Sequence, residues 1–365
     1  MRPRDPARSL ALIALLMGVL GCARALPSKP SRGLDLGQGP ADSGGEEATP
    51  GGAAGPALWI GPALQPALLA AIQGAEQRVW TAQYTLWRGA LTEPVYAALA
   101  AAAERGVEVR VLADEEAEDT PGVLEALRAA GAEVTLDSPA VTTHHKLWII
   151  DQQLITGSHN LSDSALSRNE ELSAGTADPG ALAAAEARFG ALWRDPALRP
   201  EATATVDPTL PVQFFADDEA LGALLSCIEA AEQRVRVGIY AVAWDERYPG
   251  SAVDLLLGAL EAAVGRGVDV AVLLDDSAWV RDNHINDAAF ARLRAAGVPV
   301  RRADRSELVH GKALACDGQA LVSDANWSYS GLELYHGASL SLRDAGAAAE
   351  VAGWVDGLYA NGQAR

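Results

Sequence analysis

An α/β fold built from two copies of one unit is what this 365-residue sequence predicts. Three observations carry that expectation. His144, Lys146, Asp151 and Asn160 return as His310, Lys312, Asp317 and Asn326, each displaced by 166 positions. Shorter stretches return as well: Ala75-Glu76-Gln77-Arg78-Val79 as Ala231-Glu232-Gln233-Arg234-Val235, and Arg105-Gly106-Val107 as Arg266-Gly267-Val268. Within each copy, apolar runs of strand length alternate with stretches of helical periodicity.

The chain opens on what reads as a targeting segment, Met1 to Gly21. Arg2, Arg4 and Arg8 precede an apolar stretch from Leu10 to Leu20 and a small-residue site, Val19-Leu20-Gly21-Cys22. The apolar run is too short to span a bilayer comfortably. Cys22, directly after Gly21, resembles the lipobox cysteine of bacterial lipoproteins, which is lipid-modified and becomes the new N-terminus; ordinary secretion is the alternative. Residues 22–56, rich in Pro, Gly, Ala and Ser, read as a flexible tether. The first half is then expected over 57–200 and the second over 201–365.

In the first half, helix is expected over about 66–77, strand over 79–86, helix over 93–104, strand over 107–112, helix over 121–130 and strand over 133–136. The apolar run 147–150 and a short partner over 154–156 follow. Residues 180–211 hold a helix and a Pro-punctuated connector, and 347–360 a closing helix. Such alternation favours a largely parallel sheet. The second half repeats the scheme with small insertions near 244–250 and 279–286.

Composition narrows the function classes. The net charge is −19, and removal of residues 1–21, with three Arg and one Asp, would make it −21. So acidic a protein is repelled by nucleic-acid backbones unless a local basic cleft intervenes. Beyond Cys22 only Cys227 and Cys316 remain, and the demanding geometry of a disulfide favours reading them as two buried free thiols.

The repeated motif carries the chemistry. Residues two apart in a strand share a face, so His144 and Lys146 are expected to point into one site. The turn Gly157-Ser158-His159-Asn160 can bring backbone donors and an amide up to an anion. His145 and His159 read as pocket-wall residues, and His284 and His336 have no assigned role. Trp80, Trp87, Trp148 and Trp244 read as core, and Trp279, in the second insertion, as ordinary packing.

The paired His-x-Lys-x4-Asp motifs, the first followed by Gly-Ser-x-Asn, resemble the phospholipase D superfamily. That resemblance implies two α/β halves packed about a pseudo-two-fold axis, with both motifs meeting in one active site. It also implies phosphodiester chemistry with no metal or other cofactor. A phosphodiester needs positive charge at its non-bridging oxygens, a nucleophile and a proton donor. Lys146 and Lys312 would supply the charge, helped by Ser158, Asn160 and Asn326. One motif histidine would attack phosphorus and the other protonate the leaving oxygen. Asp151 and Asp317, members of the catalytic motif, are expected to anchor the motif strands. Glu171 stands where the family commonly places the carboxylate that holds the catalytic histidine. On that basis His144 is expected to be the nucleophile and His310 the acid, because the counterpart of Glu171 in the second half is Gly337. Asp324, where the pattern would have Ser, adds a negative charge near the expected phosphate.

The substrate expected is a phospholipid, with hydrolysis or transfer of its phosphatidyl group, in a monomer anchored to the cell envelope by lipid or else secreted. The alternatives are a nuclease of the same superfamily, a cardiolipin synthase-like transferase, and a catalytically weak membrane-tethered binding protein.

Overall fold

A computed structural model describes residues 55–115, 120–200, 205–280 and 283–364. The targeting segment, Cys22 and nearly all of the tether lie outside the described residues.

The first half runs β1 (Ala57–Ile60), α1 (Leu64–Gly74), β2 (Arg78–Gln83), α2 (Glu93–Glu104), β3 (Glu108–Ala113), α3 (Thr120–Ala129), β4 (Glu133–Leu136), β5 (Lys146–Ile150), β6 (Gln153–Gly157), β7 (Leu172–Thr176) and α4 (Pro179–Arg194). The second runs β8 (Val212–Ala216), α5 (Glu219–Ala230), β9 (Arg234–Ile239), α6 (Ala252–Gly265), β10 (Asp269–Leu274), α7 (Asp287–Ala295), β11 (Val300–Arg302), β12 (Lys312–Cys316), β13 (Gln319–Ser323), β14 (Ala338–Leu342) and α8 (Ala345–Asn361). The two seven-stranded sheets have the same order: β4-β3-β2-β5-β6-β7-β1 in the first and β11-β10-β9-β12-β13-β14-β8 in the second. The duplication seen in the sequence is thus a duplication of topology.

The sheets are mixed, which corrects the expectation of a largely parallel sheet. Only β2-β3-β4 and β9-β10-β11 run parallel, each joined by a helical crossover. From the motif strand onward the pairing is antiparallel. The reason is connection length: two residues separate β5 from β6, and a parallel step needs a dozen or more.

Alternation along the motif strands decides where each side chain goes. Leu147 and Ile149, like Ala313 and Ala315, face a core that draws residues from both sheets and from α4 and α8. Trp148 and Ile150 face the helices of the first half, and Leu314 and Cys316 those of the second. Both strands are therefore buried on both faces, each large apolar side chain contributing about 1.5–3 kcal/mol. Side-chain caps start α4 at Asp178, α6 at Ser251 and α8 at Asp344.

Cys227 and Cys316 form a disulfide with Cα atoms 5.8 Å apart, correcting the reading of two free thiols. Cys227 lies on the buried face of α5, which packs on β12, and both side chains belong to one core cluster. Sequence separation concealed that proximity.

Candidate active site

The site forms where the leading ends of β5 and β12 meet across the two halves. In each half the chain before the motif strand pairs with the other half. His144 N–H donates to the His336 carbonyl and His336 N–H to that of Thr142, while His310 N–H and Gly311 N–H donate to the Glu170 carbonyl. Positions 144 and 310, like 170 and 336, differ by 166, so these contacts obey the pseudo-two-fold relation.

Buried carboxylates fix the approach to each histidine. Thr143 N–H donates to Asp114 (3.1 Å) and Asp137 (2.7 Å), and Val309 N–H to Asp275 (2.9 Å). Asp114 and Asp275 directly follow the equivalent strands β3 and β10. Burial raises the Asp275 pKa to about 6 despite the N–H groups it accepts. Tyr84 and Tyr240 rest against the rings of His144 and His310, with centroids 4.7 and 4.8 Å away. None of these five residues was assigned a role from the motifs alone. Asp114 and Asp275 each lie seven residues beyond the repeated Arg-Gly-Val stretch, so their recurrence at the same spacing was the available signal.

The lysines complete the centre. Lys146 Nζ donates to the His144 carbonyl at 2.8 Å and lies 3.3 Å from both ring nitrogens, over the imidazole rather than in line with either lone pair. Lys312 Nζ donates to the His310 carbonyl at 2.5 Å. Both lysines are buried. Burial lowers the Lys146 pKa to about 8, against support from Asp324, Glu171 and Asp114. It lowers that of Lys312 to about 7, with Glu171 opposing and Lys146 adding to the fall. His144 is pushed well below its ordinary value by burial and then by Lys146, Lys312 and His310. His310 is also lowered by burial; Glu171 resists, and Lys312 and Lys146 reinforce the fall. Groups of both halves therefore act on one another across a single site.

Glu171 overturns one expectation. Its Oε2 accepts from His310 Nδ1 at 2.9 Å, so it holds the histidine of the opposite half, not His144. The crossing follows from the pairing of Glu170 with the strand end at Val309, which carries Glu171 over the pseudo-axis. Burial alone would raise the Glu171 pKa, but His310, His159 and Lys312 bring it to about 2. A carboxylate only accepts, so Nδ1 carries the proton and the lone pair of His310 sits on Nε2.

The remaining candidates separate clearly. Asn160 and Asn326 each bury an Oδ1 that has no hydrogen-bond partner; a 180° turn of the amide would offer its NH2 to an anion at the same point. Ser158 is not open to a ligand as expected, because its hydroxyl bonds the Leu172 backbone as donor and acceptor. Asp151 accepts from the N–H groups of Glu76, Gln77 and Arg78, and Asp317 from those of Glu232, Gln233 and Arg234. Both sit past the far end of their strands, away from the histidines. His159 is spent on Ser173 and the Gly61 carbonyl. His145 is fully buried, its Nδ1 3.5 Å from Asp324 Oδ2. His336 packs with Arg188, Asp217 and the Leu198 carbonyl, and burial and Arg188 bring its pKa to about 4. His284 is exposed beside Asp287. Trp148 is core, Trp80, Trp87 and Trp244 are half-buried, and Trp279 is exposed with Arg168 against its ring.

Residues 68–193 and 224–359 match the family described as cardiolipin synthase, PLD-like domain. A stretch of 91 residues is 35% identical to a mitochondrial cardiolipin hydrolase of Chlamydomonas reinhardtii, covering 24% of this chain. The chain spans 41% of that relative's length. The fold is similar to that of a phosphatidylserine synthase from Haemophilus influenzae Rd KW20, with a TM-score of 0.61 at 9% identity over 84% of this chain and 87% of that one. It is also similar to a polyphosphate kinase from Porphyromonas gingivalis, with a TM-score of 0.56 at 15% identity over 79% of this chain and 44% of that one. At these identities the likeness to both structures is one of fold.

Proposed function

From the premise that the chain belongs to the phospholipase D superfamily, its two PLD-like domains filling most of its length, we propose that it cleaves or transfers the phosphatidyl group of phospholipids through a phosphohistidine on His310. The observation that carries this reading is the Glu171–His310 pair beside two buried lysines. Held through Nδ1, His310 presents Nε2 to phosphorus. The new N–P bond forms as the bond from phosphorus to the head-group oxygen breaks, and His144 gives its proton to that oxygen. Water, or an acceptor alcohol, then loses a proton to His144 and attacks phosphorus, releasing His310. His144 is neutral in the free site, where burial and two ammonium groups oppose its protonation. A phosphate seated between the lysines supplies the negative charge that raises it toward the acid form. Lys146 and Lys312, with Asn160 and Asn326, balance charge on the non-bridging oxygens.

Three features support a lipid substrate: the acidic net charge, the lipobox-like Cys22, and the Cys227–Cys316 bond, which suits an oxidising compartment such as the cell envelope. In this reading the two motif histidines and Lys146 and Lys312 supply the nucleophile, the acid and the positive charge, so turnover is expected to survive a chelator.

The test is a panel of head-group-labelled phospholipid vesicles and single-stranded oligonucleotides, given to the wild type and to His310→Ala. Head-group release that vanishes in His310→Ala supports the reading. Nucleotide release without head-group release would replace the lipid by a nucleic acid while keeping the site. Release unaffected by His310→Ala would remove the site itself.

A further inference from the structure

Around the site the halves differ at three positions that lie together. Where the first half has Ser158 and Glu171, the second has Asp324 and Gly337, each displaced by 166. Beside the facing histidines, Gly311 next to His310 corresponds to His145 next to His144. In the first half the Ser158 hydroxyl ties down the Leu172 backbone and Glu171 reaches His310. In the second, Asp324 accepts from Ala338 N–H at 2.9 Å and lies against His145. Its other oxygen, Oδ1, is buried with no hydrogen-bond partner. That oxygen faces the room left by Gly337: a Cβ added there would stand 2.6 Å from it. A buried acceptor without a partner is costly and calls for a reason.

We propose that Asp324 is a positioning residue of the second half-site, the carboxylate having been transposed from position 337 to position 324, where it lies 3.5 Å from His145 and leaves His144 with no carboxylate of its own. The proposal rests on the reading of the site given above. It explains why the halves divide the labour. A histidine bonded to a carboxylate is poised to attack, as His310 is, and one denied that bond is left to carry a proton. The transposed charge keeps a second use. Lys146 is faced by Asp324, Glu171 and Asp114, and among these anions Asp324 does most to hold its charge. Lys312 is faced by Glu171, Lys146, Asp324 and Asp275. His145 is faced by Asp324, His336 and Arg188. The three differences between the halves are then one change: a glycine at 337 makes room, an aspartate at 324 fills it, and a histidine at 145, where the other half has Gly311, lies beside it.

The test is a double-mutant cycle of Asp324→Ser, Gly337→Glu and the pair together, with the near-isosteric Asp324→Asn alongside. Gly337→Glu alone drives a side chain into the Asp324 carboxylate and is expected to lower Tm. The double variant rebuilds the arrangement of the first half and is expected to regain the lost Tm. In turnover, Asp324→Asn is expected to lower kcat about tenfold with little change in KM. It should also shift the alkaline limb of the pH profile to lower pH, because both lysines lose a supporting anion. Rapid-quench mapping should find the adduct only on His310 in the wild type and on both histidines in the double variant. Additive Tm effects, an unmoved alkaline limb, or an adduct still confined to His310 in the double variant would each overturn the proposal. If no variant and not even the wild type turns over phosphodiesters, the functional reading fails, and the Tm cycle still decides whether positions 324 and 337 are coupled.

Discussion

At the scale of single residues, the decisive contact is the 2.9 Å bond from His310 to Glu171. It orients one imidazole, fixes its tautomer and gives it a counter-charge for the moment when the ring becomes cationic. Removing the charge while keeping the shape, as in Glu171→Gln, is expected to lower kcat about a hundredfold, measured at saturating substrate. His144 is expected to matter in proportion to the basicity of the leaving group. With a nitrophenyl phosphodiester, whose leaving oxygen needs no proton, His144→Ala should retain the first, adduct-forming burst and lose only the later hydrolysis. His310→Ala should lose both. The lysines set the alkaline edge. With Lys312 and Lys146 brought to about 7 and about 8, kcat/KM is expected to fall as pH rises through that window, because the free site loses its cations. Lys312→Arg, whose charge does not titrate there, should move the edge upward.

At the scale of elements, the motif strands are held at both ends. Asp151 and Asp317, each at positive φ (47° and 48°), turn the chain and gather three backbone N–H groups apiece. Asp151→Ala removes charge-assisted bonds and puts Ala in a left-handed turn, and should cost about 2–3 kcal/mol, read as a drop in Tm. The disulfide staples α5 to β12 across 89 residues. Replacing both cysteines by Ala should cost about 2–5 kcal/mol by the same readout.

Much of this scale was legible in the sequence. Helix over 93–104 appears as expected because its period is strong and Pro94 marks its start, and strand over 133–136 because the turn at Gly131 and the helix before it set the short segment off. The edge strands β1 and β8 and strand β7 were not read, since four or five residues are too few to show a period. The motifs picked out His144, His310 and both lysines. They misdirected Glu171 because a carboxylate can be matched to a histidine by register within a half, whereas its actual partner is set by pairing between halves. The cysteine bond was hidden for the same reason, as a contact between elements distant in sequence.

At the scale of the whole molecule, the site is the seam of a duplicated fold, and its burial shapes stability as well as chemistry. His144, His145, His159, His310 and His336 all have pKa values below the ordinary 6.5, burial being the leading cause at each. The unfolded chain therefore binds more protons than the native protein below about pH 6.5, and stability falls as pH drops through that range. Asp275, raised to about 6, and Glu307, also raised by burial, oppose this. Above pH 7 the two depressed lysines act in the same direction as the histidines, since the unfolded chain keeps protons that the folded site has released. Tm is thus expected to climb from pH 5 to pH 9 while kcat/KM already declines from about pH 7. Thermal melts and rate profiles taken on the same buffers would check it; coincident optima would contradict it.

The two imidazoles have different tasks in this mechanism, and the one gripped by Glu171 bonds to phosphorus. Rapid acid or base quench during turnover of a labelled phosphodiester, followed by peptide mapping, reads this directly. Label is expected on the peptide that carries His310. Label on the peptide that carries His144 would contradict it.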